Sequence, residues 1–196
     1  ILDNADNGWM TSSLEFTNPY NTISPWIEYR MSADMESIMK GYADPRIASW
    51  FSPAAEPDPA DDPPGLTFDY EGVRNGQTKN DRSAVAFDAL ASNHSTPYTI
   101  VGDKGPNMYV MRAAESYFLM AEGVLEGWNT GTGTVEDLYN TGIEMSLDEN
   151  GYTDHLNLYG NDYVTSTLVP WTPGVDQNTV IPPVAPEPVC KVPVLF

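Results

Sequence analysis

Two pairs of carboxylates stand four residues apart, the spacing that places two side chains on one face of a helix. They are Glu122 with Glu126, and Glu144 with Asp148. A glycosidase needs two carboxylates facing each other across a cleft, about 5–10 Å apart, with one pKa raised. Pairs on the polar face of an amphipathic helix lie in water instead. We therefore predict solvated pairs without a catalytic role.

Few residues could bind a metal ion. Asp58, Asp61 and Asp62 could surround Ca²⁺ together with backbone carbonyls, but their proline-broken spacing fits no calcium loop. A solvated acidic run is favoured. The two histidines, His94 and His155, are far apart and have no cysteines or acids at zinc-ligand spacing. Nucleophile elbows and phosphate-binding glycine loops do not occur. We predict no cofactor, with Ca²⁺ as the one open alternative.

Charge and composition restrict the partners. The 196 residues contain 28 Asp and Glu against nine Lys and Arg, a formal net charge of −19. Such a surface repels a phosphate backbone, so we predict no nucleic-acid binding. A hydrophobic content of 41% predicts a folded chain. The single cysteine, Cys190, excludes an internal disulfide.

The first part of the chain is predicted to be rich in loops. Residues 1–30 contain many residues typical of turns, such as Asn, Asp, Gly and Pro, and are predicted to form a loop. Ser32 is predicted to cap a short helix over about 33–40, which Gly41 stops. The proline-rich segment 52–65 is predicted to be a solvated loop.

A pair of helices is predicted further along. Apolar residues over 108–128 cover a broad arc of one helix, which predicts contacts on more than one side. A second helix is predicted from a capping box of Thr134 and Asp137 to Gly151. Three small residues allow the helices to approach closely: Ala114, Ala121 and Gly142. The two helices should therefore form an antiparallel hairpin, whose outer face needs further helical repeats to cover it.

Three motifs now suggest a family. They are ESYFLMAEGVLEGW with LYNTGIEMSL in the hairpin, MSADMESIMKGYADPRIASWF upstream, and DYEGVRNG between them. In order and spacing, over roughly residues 30–150, they resemble the SusD/RagB family of outer-membrane nutrient-binding lipoproteins of Bacteroidetes, in its SusD-like branch. The resemblance implies a mainly α fold, in which a tetratricopeptide-like hairpin with long irregular loops is part of a larger α-helical SusD-like fold.

Parts of the family pattern are missing. Its lipid-attachment cysteine, its first repeats and its late tryptophan-rich segment have no counterpart, so we expect a C-terminal-half fragment. We expect one incomplete domain: a loop-rich ligand-face segment with one short helix at 1–105, the hairpin at 106–151, and an irregular proline-rich tail at 152–196 with no predicted core residue.

The resemblance implies a binder without catalysis. Such a protein is exposed on the cell surface, lipid-anchored to the outer membrane through a segment absent here. It captures an oligosaccharide and delivers it to a SusC-like TonB-dependent transporter. One alternative is a peptide-binding lipoprotein of the RagB type. Alternatives of another class are a fragment of a secreted hydrolase and a purely structural scaffold.

Aromatic residues in loops are the candidates for holding a sugar, because flat rings stack on the apolar faces of pyranoses. Six lie outside the predicted helices: Trp9, Trp26, Trp50, Tyr70, Tyr98 and Trp171. Each one alone is more often a core or loop anchor. We select Trp50 and Tyr70 first and Trp26 next, with Arg74 and Asn75 as hydrogen-bond partners for sugar hydroxyls.

Two further residues are assigned structural roles. Arg46 is predicted to pair with Asp44 or with the carbonyl end of a helix. Trp128, at the end of the hairpin's first helix, is predicted to lie in the core.

Overall fold

The computed structural model describes residues 1–19, 30–55, 57, 59, 62–73, 107–131 and 133–166. In chain order its elements are β1 (Gly8–Met10), α1 (Ala33–Gly41), α2 (Ile47–Trp50), β2 (Met108–Met111), α3 (Ala113–Leu125) and α4 (Val135–Glu149), with a 3-10 turn at Asn4–Asp6. This part of the chain is mainly helical, as predicted. None of its helices combines the length and hydropathy that crossing a membrane requires.

The chain divides into two compact units. The first consists of Ile1–Asn18 with Gly102–Pro182, and the second of Pro19–Val101 with Pro183–Phe196.

The first unit contains a two-stranded antiparallel sheet that the sequence did not predict. Strand β1 pairs with β2, placing Trp9 opposite Tyr109 and Met10 opposite Met108. The prediction of loop at the start of the chain is therefore wrong at β1. The prediction that a helix begins at Met108 is wrong as well, because the pairing with β1 holds that stretch extended and α3 begins only at Ala113.

Helices α3 and α4 form the predicted hairpin. The Phe118 ring packs on Gly142 so closely that a Cβ there would lie 2.8 Å from a ring carbon. Phe118 also meets Tyr139, with ring centroids 5.8 Å apart. Between the helices lies a set of buried side chains: Ala114, Ala121, Leu138, Ile143 and Leu147. The close approach predicted at Gly142 is confirmed.

The outer side of α3 exposes apolar side chains next to carboxylates. Leu119 is 57% exposed and Leu125 is 55% exposed. Trp128, predicted to be a core residue, is 69% exposed, which corrects that prediction. Its ring lies over Gly123 instead, where a Cβ would be 3.4 Å from it. The helix ends at Leu125, so Trp128 follows the last turn and does not continue the buried stripe.

The segment after α4 has turns but contributes to the core. Tyr163 is 2% exposed and Val164 is 8% exposed, two core residues that the sequence analysis did not predict. Asn157 organises the turns, because its side-chain oxygen accepts hydrogen bonds from the Tyr159 N–H (2.9 Å) and the Asn161 N–H (3.1 Å).

The second unit is built around α1. The Met35 N–H donates to the Ser32 hydroxyl (3.2 Å), so the predicted cap is confirmed. A core of four buried side chains forms here: Met31, Met39, Ile47 and Phe68. Residues 67–70 lie in no strand, and an isolated bridge joins Val73 to Ser32.

Candidate functional site

Two predicted ligand residues come together on the core of the second unit. Trp50 and Tyr70 are both half-buried, and both pack against the cluster of Met31, Met39, Ile47 and Phe68. They are 20 positions apart in the chain. The structure therefore joins the end of α2 to the segment after the proline-rich loop.

Trp50 is held by the Asp-Pro-Arg turn that precedes α2. The Arg46 guanidinium lies 5.2 Å from the centre of the Trp50 ring, within cation–π distance. The Arg46 Nε–H donates to the Asp44 carboxylate (2.9 Å), which confirms the predicted pair. Asp44 is only 2% exposed, so the arginine is oriented by a fixed partner. The turn thus sets the position of the Trp50 ring.

Tyr70 leads into a short segment, residues 71–73, that is bonded to the start of α1. Its ring meets Phe68 at 5.3 Å between centroids. Two backbone hydrogen bonds hold the segment: the Ala33 N–H donates to the Val73 carbonyl (2.9 Å), and the Val73 N–H donates to the Met31 carbonyl (2.7 Å).

A buried ion pair completes this attachment. The Gly72 N–H donates to the Glu36 carboxylate (2.6 Å), and Lys40 lies 2.7 Å from the other oxygen of Glu36. Both charged side chains are 10% exposed. The Lys40 ammonium also stands 5.3 Å from the centre of the Phe68 ring. These contacts join the segment after Tyr70 to the first two turns of α1.

The other three predicted ligand residues lie outside the described residues. They are Trp26, Arg74 and Asn75. The same holds for Tyr98, Trp171, His94, Asp58 and Asp61. Within the part that the structure describes, no three His, Cys, Asp or Glu side chains are grouped to hold a metal ion.

The two carboxylate pairs have different surroundings. Glu122 and Glu126 are both exposed, as predicted. Asp148 is half-buried, and its carboxylate lies 2.8 Å from His155 Nε2, which the sequence analysis did not anticipate. His155 has a φ of +55°, in the left-handed region that a non-glycine residue rarely adopts.

The structure adds a polar and aromatic surface in the first unit. The Arg112 guanidinium lies 4.1 Å from the centre of the Tyr109 ring, and Trp9 meets Tyr109 at 6.0 Å between centroids. Burial, and then the charge of Glu149, raises the pKa of the Tyr109 hydroxyl, which therefore remains a donor at neutral pH. Trp9 is one of the six loop aromatics that the sequence offers as sugar-binding candidates. Tyr109 is not, because it lies in the stretch predicted to be a helix.

Comparison with known proteins identifies the family. The model of the SusD-like family, described as Susd and RagB outer membrane lipoprotein, matches residues 1–169. The chain belongs to the SusD-like family. The predicted resemblance is thereby confirmed, and members of the SusD-like family are described as outer membrane lipoproteins.

Solved SusD-like structures agree with this assignment. A chitin-binding SusD homologue from Flavobacterium johnsoniae is 43% identical, with a TM-score of 0.59 over 77% of this chain and 28% of its own. A homologue from Bacteroides thetaiotaomicron is 30% identical, with a TM-score of 0.60 over 80% of this chain and 30% of its own. A homologue from Bacteroides vulgatus is 25% identical, with a TM-score of 0.63 over 85% of this chain and 30% of its own.

The chain spans less than a third of the length of these three SusD homologues. A comparison with curated proteins found no match.

Proposed function

We propose that this protein binds an oligosaccharide at the cell surface and delivers it to a SusC-like TonB-dependent transporter, without catalysis. The observation that carries the proposal is membership of the SusD-like family. The 43% identity to a chitin-binding homologue favours a glycan, and chitin oligosaccharides are the first ligands to test. The peptide-binding alternative is an outcome of the same experiment.

In this proposal the ligand stacks on Trp50 and Tyr70, with Trp26, Arg74 and Asn75 completing the site. Two features support the first two residues. Both rings are half-buried on a fixed core, so stacking requires little reordering. Arg46 and Phe68 also hold the two rings from the protein side.

The test is a calorimetric screen of the full-length protein against a glycan panel that includes chitin oligosaccharides, with a peptide library alongside. Tyr70→Ala and Trp50→Ala should each weaken binding of the selected glycan at least about tenfold, or ~1.4 kcal/mol. Phe51→Ala is the matched control, because Phe51 packs against the same cluster but has no proposed ligand contact. Melting temperatures separate lost binding from lost folding.

Each result has a distinct meaning. If glycan binding survives both Trp50→Ala and Tyr70→Ala, the proposed site is wrong but the proposed oligosaccharide binding still stands. Binding of peptides alone overturns the oligosaccharide proposal in favour of the RagB type. If neither class binds, a structural scaffold is favoured.

Delivery needs its own experiment. A tagged full-length protein should co-purify from outer membranes with a TonB-dependent barrel, and Tyr70→Ala should leave that complex intact. Binding lost while the complex persists would argue against a role as scaffold only. A protein that never co-purifies with a barrel would contradict delivery without affecting the sugar-binding result.

A further inference from the structure

An exposed aromatic pair lies on the sheet of the first unit. Trp9 is 46% exposed and Tyr109 is 43% exposed. They are direct partners across the antiparallel strands, so their side chains lie on the same face of the sheet. Their rings are perpendicular, with centroids 6.0 Å apart. Together the rings form a corner rather than a flat patch.

The pair is held by hydrogen bonds on both sides of β1. On one side, the Ala113 N–H donates to the Asn7 side chain (2.6 Å), which joins β1 to the start of α3. On the other side, the Ser12 N–H donates to the Asn107 side chain (3.1 Å). Asn7 is 7% exposed, so the first of these bonds is shielded from water. These bonds fix the backbone on either side of Trp9.

Beside the rings lies Arg112, an arginine whose positive charge is balanced by a glutamate and which supplies hydrogen-bond donors. The Arg112 side chain is 36% exposed, and its Nε lies 3.5 Å from the Glu149 carboxylate, whose side chain is 9% exposed. Arginine has five N–H donors in a fixed plane, and this ion pair occupies only its Nε side. Because Glu149 balances the charge, the surface offers donors without a net positive charge. That combination suits a neutral ligand better than an anion.

We propose that Trp9, Tyr109 and Arg112 form a sugar-contacting surface on the first unit, which takes a neutral pyranose ring of an oligosaccharide. This inference rests on the proposed function. Trp9 provides the stacking area, Tyr109 the second wall of the corner, and Arg112 the donors for ring hydroxyls or an acetamido oxygen. A pyranose matches the corner because it has an apolar face and a polar rim.

The experiment uses the full-length protein with chitohexaose, xylohexaose, maltohexaose and laminarihexaose in a calorimeter. For the sugar that the wild type binds, Trp9→Ala should raise Kd by about tenfold. Trp9→Phe, which keeps a smaller ring, should recover part of the loss. Trp128→Ala is the matched control, because Trp128 is a tryptophan of the same unit that is 69% exposed and has no role in the proposal.

A second readout distinguishes contact from an indirect effect. In protein labelled with 5-fluorotryptophan, the ¹⁹F resonance missing from Trp9→Phe belongs to Trp9, and it should shift during the sugar titration. The Trp128 resonance should stay in place. Sugar binding with an unchanged Kd in Trp9→Ala and an unmoved Trp9 resonance would overturn this inference alone. A wild type that binds none of the four sugars would overturn it together with the proposed function.

Discussion

At Gly72 the close packing of residues 71–73 against α1 leaves no room for a side chain. A Cβ there would lie 2.4 Å from the Ser32 carbonyl oxygen and 2.7 Å from the Ala33 nitrogen. Both are backbone atoms of the helix start, which bonds to Val73, so no side-chain rotation can relieve the contact.

We expect Gly72→Ala to lower the free energy of unfolding by about 1–3 kcal/mol, the usual cost of forcing an extra carbon into a packed site. Urea denaturation of the full-length protein measures this. Gly8→Ala is the control, because its nearest neighbour would be 3.8 Å from the new Cβ and its effect should stay within about 0.5 kcal/mol. Equal effects in the two variants would contradict the close packing at Gly72.

Asp162 provides a pH-dependent contact in the turns after α4. The Thr165 backbone N–H (2.9 Å) and then the Thr165 hydroxyl (2.8 Å) hold the pKa of the Asp162 carboxyl below its usual value. A carboxyl with a lowered pKa in the folded state stabilises fully at neutral pH, and its contribution is lost as the pH falls through that lowered pKa.

Thr165→Ala should therefore raise the pKa of Asp162 only part of the way, because the larger contribution, from the backbone N–H, remains. Carbon-13 titration of the Asp162 carboxyl by NMR measures the shift. Asp162→Asn should make the stability less sensitive to acid than it is in the wild type. A wild-type Asp162 that titrates at its ordinary value would show that these bonds do not form in solution.

At the scale of the elements, helix α4 begins after the N-cap residue that the sequence predicted, Thr134. The Thr134 hydroxyl accepts from the Asp137 N–H (3.1 Å), and the Asp137 carboxylate accepts from the Thr134 N–H (3.3 Å). Replacing a capping threonine with alanine typically costs about 1 kcal/mol.

We expect that loss for Thr134→Ala in thermal or urea unfolding. Thr141→Ala offers a control in the same helix: it is an interior position, where alanine is the better helix former, so stability should be unchanged or slightly raised. If the two variants behaved alike, the cap would contribute nothing.

The elements also show where sequence reasoning stops. The capping box of Thr134 and Asp137 and the Asp44–Arg46 pair join residues two or three positions apart, so local spacing was enough to predict them. The β1–β2 pairing joins Trp9 to Tyr109, 100 positions away, and no local pattern reveals it. The apolar spacing of residues 108–111 suits a helix, yet tertiary pairing overrides that preference.

The candidate site, too, was predictable only in its local features and not in its tertiary contacts. That Trp50 and Tyr70 are aromatic residues at loop boundaries was visible in the sequence. The sequence did not show that both residues pack on one core, because that core is formed by tertiary packing of α1, α2 and the segment around Phe68. Tyr109 was missed because it was placed in a helix, where neither its pairing with Trp9 nor its contact with Arg112 would be expected.

For the molecule as a whole, the dominant property is its charge. A formal net charge of −19 over 196 residues repels anionic ligands and attracts cationic ones. A neutral oligosaccharide experiences neither effect, whereas a cationic peptide gains affinity from the whole surface. The two ligand classes of the SusD/RagB family should therefore respond differently to ionic strength.

We expect the Kd of a neutral oligosaccharide to change less than about twofold between roughly 0.01 M and 1 M salt, where the screening length falls from about 30 Å to about 3 Å. The Kd of a cationic peptide should rise about tenfold or more over the same range, because screening removes its long-range attraction. Calorimetry at both salt concentrations measures this, with the lysine-acetylated peptide as control. A glycan whose binding weakens like that of the unmodified peptide would mean that charge, and not ring stacking, selects the ligand.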